Sequence, residues 1–184
     1  MRHIRNYLAV IAVILAVSFT AVSAQSSSGS RSGQDLNQQI FRKLINLPYY
    51  GAFDHISYQV NGNNVTLFGK VADGRNKRDA ENAVERIPGI GSVTNRIEIL
   101  PPSSFDNSIR WRIAREFSTR GGSLYRYLLE PRPSMRIIVE GGHVTLEGFV
   151  SNRGDYNLAN ILANGIPGVF SVTNNLVVGR EGPR

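Results

Sequence analysis

The sequence predicts an α+β protein made of two αββαβ modules, each a small three-stranded mixed sheet with two helices packed on one face. Three observations carry this. The stretch VNGNNVTLFGKV (Val60–Val71) recurs further along the chain as VEGGHVTLEGFV (Val139–Val150). The same offset lays IPGIGSVTN (Ile87–Asn95) over IPGVFSVTN (Ile166–Asn174) without a gap, the mark of an internal repeat. Within each copy the apolar spacing passes from helical to strictly alternating and back, with Gly, Pro and Asn at the switches.

The N-terminal stretch stands apart. Arg2 and Arg5 precede an apolar run from Tyr7 to Val17, and Ala21-Val22-Ser23-Ala24 offers small residues for cleavage. Residues 1–24 are therefore expected to be a signal peptide cut after Ala24. The run is shorter than the ~20 residues of a comfortable membrane span, and no cysteine follows it to accept an acyl anchor. Residues 25–34, QSSSGSRSGQ, lack periodicity and read as a flexible linker.

The first module is expected over 35–100. From Asp35, a capping candidate, Leu36, Ile40, Leu44 and Leu47 share one helical stripe that Pro48 ends. Ile56, Tyr58 and Val60 alternate as a strand, Asn61-Gly62-Asn63-Asn64 supplies hairpin chemistry, and Val65, Leu67, Gly69 and Val71 form the return strand. A second helix over 75–86 buries Ala80, Ala83, Val84 and Ile87, Pro88-Gly89 stops it, and 93–100 is the third strand.

The second module, 104–180, repeats the order. Phe105, Ile109, Ile113 and Phe117 stripe its first helix. A hairpin runs through 136–139 and 144–150, Leu158, Ala159, Leu162 and Ile166 mark its second helix, and 172–178 is its last strand. The leading helices match at a shorter offset, which lays Leu36, Ile40 and Leu44 over Phe105, Ile109 and Ile113. The second copy thus holds extra residues between first helix and first strand, within 118–135. Units of this size sit near the lower limit for a self-sufficient core, so the two copies are expected to pack together.

Composition narrows the function classes. The chain has no cysteine, which removes disulfides, thiol catalysis and cysteine-ligated metals. Its formal charge is +7, and it stays basic without the two arginines of the signal. A basic exported protein is drawn to anionic lipid headgroups, acidic polysaccharide or acidic proteins rather than to nucleic acid. His55 and His143 are isolated, no pair of residues has metal-ligand spacing, and no nucleophile elbow or phosphate loop is present. No catalytic residue, metal ligand or cofactor is assigned, and a non-enzymatic protein is expected.

The αββαβ order, the hairpin endings VTLFGKV and VTLEGFV with Gly69 and Gly148, and the closing IPG-x-x-SVTN segments resemble the BON domains. Two in tandem behind an export signal are similar to the osmotically inducible periplasmic protein Y family. The resemblance implies a periplasmic, non-enzymatic protein that attaches to phospholipid and maintains the outer membrane under osmotic stress. The missing acyl-accepting cysteine departs from the lipoprotein members. A glycine inside a strand permits close approach, and a helix packed over Gly69 and Gly148 is expected.

One cluster is asymmetric between the copies. Arg110, Arg112, Arg115, Arg120, Arg126, Arg132 and Arg136 crowd the first helix and insertion of module two, interleaved with Trp111, Tyr125 and Tyr127. At about 100° per residue, Trp111 points away from the Phe105/Ile109/Ile113/Phe117 stripe, with Arg115 one turn along. Tryptophan beside arginine on an outward face suits a bilayer interface. The expected lipid-binding set is Arg110, Trp111, Arg115, Arg120, Tyr125, Arg126 and Tyr127, facing an anionic phospholipid surface. Other readings stand beside it: Trp111 is covered by the insertion or by module one with the arginines a solvated rim, or the patch binds acidic polysaccharide or an acidic protein face. The protein is alternatively a soluble protein-binding module or periplasmic chaperone for envelope proteins, with the arginines incidental, or a structural component of a secretion or cell-wall assembly. Oligomeric state is not legible.

Overall fold

A computed structural model describes residues 28–129 and 132–179. The expected signal peptide, residues 1–24, lies outside the described residues. Helix α1, Ser28–Ile45, leads into a hairpin of β1, His55–Asn61, and β2, Asn64–Val71. Helix α2, Gly74–Glu85, is followed by the short strands β3, Ser92–Asn95, and β4, Glu98–Ile99. Module two gives α3, Ser104–Thr119, an added helix α4, Leu124–Leu129, and the hairpin of β5, Met135–Glu140, and β6, His143–Val150. It closes with α5, Arg153–Asn164, and strands β7, Ser171–Asn174, and β8, Val177–Val178. In each sheet the second hairpin strand is central, antiparallel to the first and parallel to the two short ones.

Helix α1 departs from expectation at its start, because 28–34, expected as flexible linker, are helical. Extending a helix that the amphipathic part has nucleated avoids a second nucleation cost, which offsets the poor helix propensity of the serines and glycines there. Ile40 and Leu44 of α1, Ala80 and Val84 of α2, and Val65, Leu67, Val71 and Ile97 of the sheet then form one buried cluster, as the stripe and the alternation require. The corresponding cluster of module two gathers Ile109, Ile113 and Phe117 with Val144, Leu146, Val150, Ala159 and Ala163. It also takes in Leu124 and Tyr127 of the insertion.

The third strand of each module is broken rather than continuous, and the repeated Asn of SVTN does it. Asn95 accepts a bond from Ile97 N–H (3.1 Å) and donates its amide to the Lys77 carbonyl of α2 (2.8 Å). Asn174 does the same with Leu176 N–H (3.2 Å) and the Tyr156 carbonyl (3.0 Å). Such a side chain replaces a backbone turn. It swings Ile97 and Leu176 into the cores and ties the sheet to the helix above it.

Gly69 and Gly148 also depart from expectation, since backbone at the start of the first hairpin strand, not a helix, crowds them. Their φ values are +118° and +105°. A Cβ at either would lie 2.1 Å from a carbonyl oxygen, that of His55 or of Ser134.

The modules pack on each other as anticipated. The outer edge of β5 meets the loop 51–54 of module one, where Ile137 N–H donates to the Ala52 carbonyl at 2.7 Å. Phe53 packs on the core of module two, and the Arg136 guanidinium lies 4.9 Å from the Tyr50 ring. Lys70 pairs with Glu140, and His55 Nε2 lies 3.9 Å from Glu147.

Alanine at Gly69 or Gly148 should destabilise the protein by more than about 1 kcal/mol, because both the φ and the space forbid a Cβ. Gly62 has φ +61° but open space around its Cβ, so Gly62→Ala should cost less than either. Urea unfolding of the three variants checks the order.

Candidate functional site

The two modules share an architecture, so a site specific to this chain is best sought where they differ. Helix α3 starts at Ser103, whose hydroxyl accepts from Asp106 N–H at 3.1 Å. The Asp106 carboxylate in turn accepts from Gly141 N–H (3.0 Å) and Gly142 N–H (2.8 Å), pinning the β5–β6 turn against the helix start. Burial pushes the Asp106 carboxyl up, but those N–H groups, Ser103 and Arg110 together hold it below the ordinary aspartate value. The helix is thereby fixed at one end by a buried anion.

Its outward face carries Trp111, 59 % exposed, with exposed Arg112 and Arg115. These three span roughly 100° of the helix. The Trp111 ring meets Phe53 of module one edge-on, with centroids 5.0 Å apart and planes at 80°. Module one therefore buttresses one edge of the ring and leaves most of it in solvent. Arg112 donates to the Pro167 carbonyl at 3.3 Å. Arg115 has no acidic partner among the described residues.

The rest of the expected set divides. Arg120 is exposed but held by Glu116 at 2.8 Å, which raises its pKa. Tyr125 is exposed on α4. Arg126 is exposed as well, 3.8 Å from Asp155 and 5.2 Å over the Tyr127 ring.

Two members do not belong to a surface at all. Arg110 is 5 % exposed, and its Nη2 donates to the Val139 carbonyl at 2.6 Å. Burial lowers its pKa, against the opposing pull of Asp106 and Asp54. The helical wheel explains the miss: Arg110 lies about 60° from Ile113 and borders the apolar stripe. Tyr127 is 5 % exposed, donates to Asp155 at 2.6 Å and accepts from Ser151 N–H at 2.9 Å. It joins β6 to α5. In module one the same junction is held by Asp54, which accepts from Ala72 N–H at 2.7 Å.

Phe105 departs from the buried stripe expected of it. It is 46 % exposed, and its ring lies 6.2 Å from that of Phe170, which is 70 % exposed. The repeat holds a signal for this pair, because Phe170 stands where module one has Gly91. Arg112 reaches the loop that carries Phe170. Apolar rings and guanidinium groups thus share one side of α3. This arrangement can bind an amphipathic anionic surface. Among the described residues no group of three or more His, Asp or Glu side chains is placed to hold a metal ion. No described helix is long and apolar enough to cross a membrane.

A family model described as BON domain matches residues 32–101 and 125–180. The second match begins within α4 and leaves α3 outside. No curated protein matches the chain. Among solved structures the chain is similar to CdsD, a structural protein of the type III secretion system of Chlamydia trachomatis, at 11 % identity and a TM-score of 0.31. That match covers 78 % of this chain and 92 % of the other. A second match, to the C-terminal domain of CdsD, has the same identity and TM-score and covers 79 % and 98 %.

Tyr127→Phe should cost about 1–3 kcal/mol, because it strands Ser151 N–H and takes a donor from Asp155. The loss will appear in urea unfolding whether or not lipid is present. Asp106→Asn should be less stable than wild type at pH 7. A carboxyl depressed in the folded state stabilises the fold fully above its unfolded pKa and loses the effect as pH falls through the depressed value. The gap between variant and wild type should therefore close in acid, as read by unfolding at pH 7 and near pH 3.

Proposed function

This chain belongs to the BON domain family, and on that premise we propose that it attaches to anionic phospholipid through the outward face of α3. BON domains associate with phospholipid and with the cell envelope, and their proteins are generally non-enzymatic. The finer reading is a periplasmic protein that maintains the envelope under osmotic stress, exported by the expected signal peptide 1–24. The observation that carries the site is Trp111, 59 % exposed, with the exposed Arg115 one turn away.

The physics supports modest, reversible attachment. A tryptophan settles at headgroup depth, with its ring in the apolar boundary and its N–H toward water. Each cation near an anionic surface adds about 1 kcal/mol, screened beyond a Debye length. Among the described residues, Arg112 and Arg115 are the cations without an acidic partner on this face. Arg110 and Tyr127, turned inward, take no part. Phe105 and Phe170 extend the apolar side of the same surface.

Flotation of the mature chain, residues 25–184, with phosphatidylglycerol-containing vesicles tests the proposal. Binding should fall with salt and be weak on purely zwitterionic vesicles. Arg115→Ala should reduce it roughly fivefold, the equivalent of about 1 kcal/mol, and Trp111→Ala should reduce it at least as much. Equal binding to both kinds of vesicle, untouched by either substitution, would sink the assignment.

A further inference from the structure

We infer that the outer edge of β1 in module one is a docking site for an extended peptide of a partner protein. The peptide adds to the sheet as a strand and seats an apolar side chain in the groove between the modules. No residue of α3 lines that groove, and the inference does not rest on lipid binding.

The direction of the backbone groups follows from one bond. Ile56 N–H donates to the Tyr50 hydroxyl at 3.0 Å, not across the hairpin. Ile56 and Gly69 are therefore a non-hydrogen-bonded pair, and in an antiparallel ladder such pairs alternate. The register is unbroken from His55↔Lys70 to Asn61↔Asn64. Tyr58 and Val60 must then also turn their N–H and C=O groups away from β2.

Module two shows what becomes of the same groups when they are satisfied. In the repeat, Ile137 and Val139 take the places of Tyr58 and Val60. Ile137 N–H is taken by the Ala52 carbonyl at 2.7 Å, and the Val139 carbonyl by Arg110 at 2.6 Å. The backbone groups of Tyr58 and Val60 find no such partner among the described residues. The alignment that lays Ile40 over Ile109 puts Phe41 of module one at the position of Arg110. The cap of one edge is replaced by an apolar wall at the other.

That wall belongs to a groove of about 240 Å³. Phe41 and Ile45 of α1 line one side, and Phe149 and Val177 of module two line another. His55, Ile56, Ser57 and Tyr58 all border it. Successive residues point to opposite faces of a sheet, so a groove touching four in a row meets the strand edge-on. Its volume falls below the roughly 300–1,000 Å³ of small-molecule pockets and suits an anchoring side chain.

The occupant follows from the same features. Exposed edges are commonly blunted with charge or proline, yet His55–Asn61 reads HISYQVN, with no proline, lysine, arginine or carboxylate. The open groups recur every second residue, the repeat of another strand, as in strand-addition recognition. The edge of β5 supplies a precedent. There the loop 51–54 gives a backbone carbonyl to the edge and seats the Phe53 ring against the core beside it.

The test uses the mature chain, residues 25–184, labelled with ¹⁵N. The probe is an acetylated, amidated seven-residue peptide alternating threonine with valine and carrying phenylalanine at its centre. The amides of Tyr58 and Val60 should shift and gain exchange protection while that of Ile137 does not. Phe41→Arg, which installs the cap of module two, should weaken binding at least tenfold and leave vesicle flotation unchanged. A peptide methylated on alternate amides, in either register, separates backbone from side-chain recognition without altering the protein. One of the two registers should abolish binding. Shifts confined to other surfaces, or equal binding of both methylated peptides, would overturn the inference. So would dimerisation abolished by Phe41→Arg with which the peptide cannot compete, since the occupant would then be a second copy.

Discussion

Strand β5 has no face left for solvent: Met135 through Val139 are all buried. A strand buried on both sides and bonded along both edges cannot form until its neighbours are in place, and here they come from both modules. Module two supplies β6 and α3, and module one supplies the loop 51–54. The fold is therefore not two beads on a string. Removing module one would expose the Ile137 N–H and the core surface under Phe53. An apolar side chain returned to water costs roughly 1.5–3 kcal/mol, and an unmet buried donor costs about 1–3 more. For units this small, such sums decide whether the core holds.

The same constraint explains why arginines that look alike in the sequence do different things. Arg110 and Arg136 accompany β5 into the interior, one capping Val139 and the other stacked on Tyr50. Arg112 and Arg115, on the opposite side of α3, remain in water. Even Trp111, which points outward, is steadied by Phe53 from module one. Packing between modules thus sets the pose of the ring proposed to meet lipid. Module one is more than a spacer for module two.

Much of the fold was legible because period and turn chemistry are local. Alternation in Val65–Val71 and Val144–Val150, stripes on the helices, and Asn-Gly at the first hairpin all led to the observed elements. The outward direction of Trp111 and Arg115 followed from the helical wheel, while how far module one covers the ring did not. Apart from the helical start of α1 at 28–34, what failed depended on a partner distant in sequence. Arg110 borders its stripe, and only the Val139 carbonyl decides that it turns inward. Tyr127 has the look of an interfacial ring until Asp155 and Ser151 claim its hydroxyl. The break in the third strand was written in the repeated asparagine, but its reading needed the helix carbonyl that each one reaches.

The two copies divide their residues into those that serve the shared fold and those that serve one module alone. Where the copies agree, as at Gly69 and Gly148 or Asn95 and Asn174, the residue serves the fold by the same contact in both. Where they differ, the structure shows one need met in two ways, or met in one copy and open in the other. The junction from hairpin to second helix is the first kind: a carboxylate in module one, a tyrosine backed by Asp155 in module two. The hairpin edge is the second kind. Arg110 and Ala52 close it in module two, while module one offers Phe41 and the outward backbone groups of Tyr58 and Val60. A duplicated edge that is capped once and left open once, with an apolar wall where the cap would be, is a difference that folding alone does not require. It places an opening in module one.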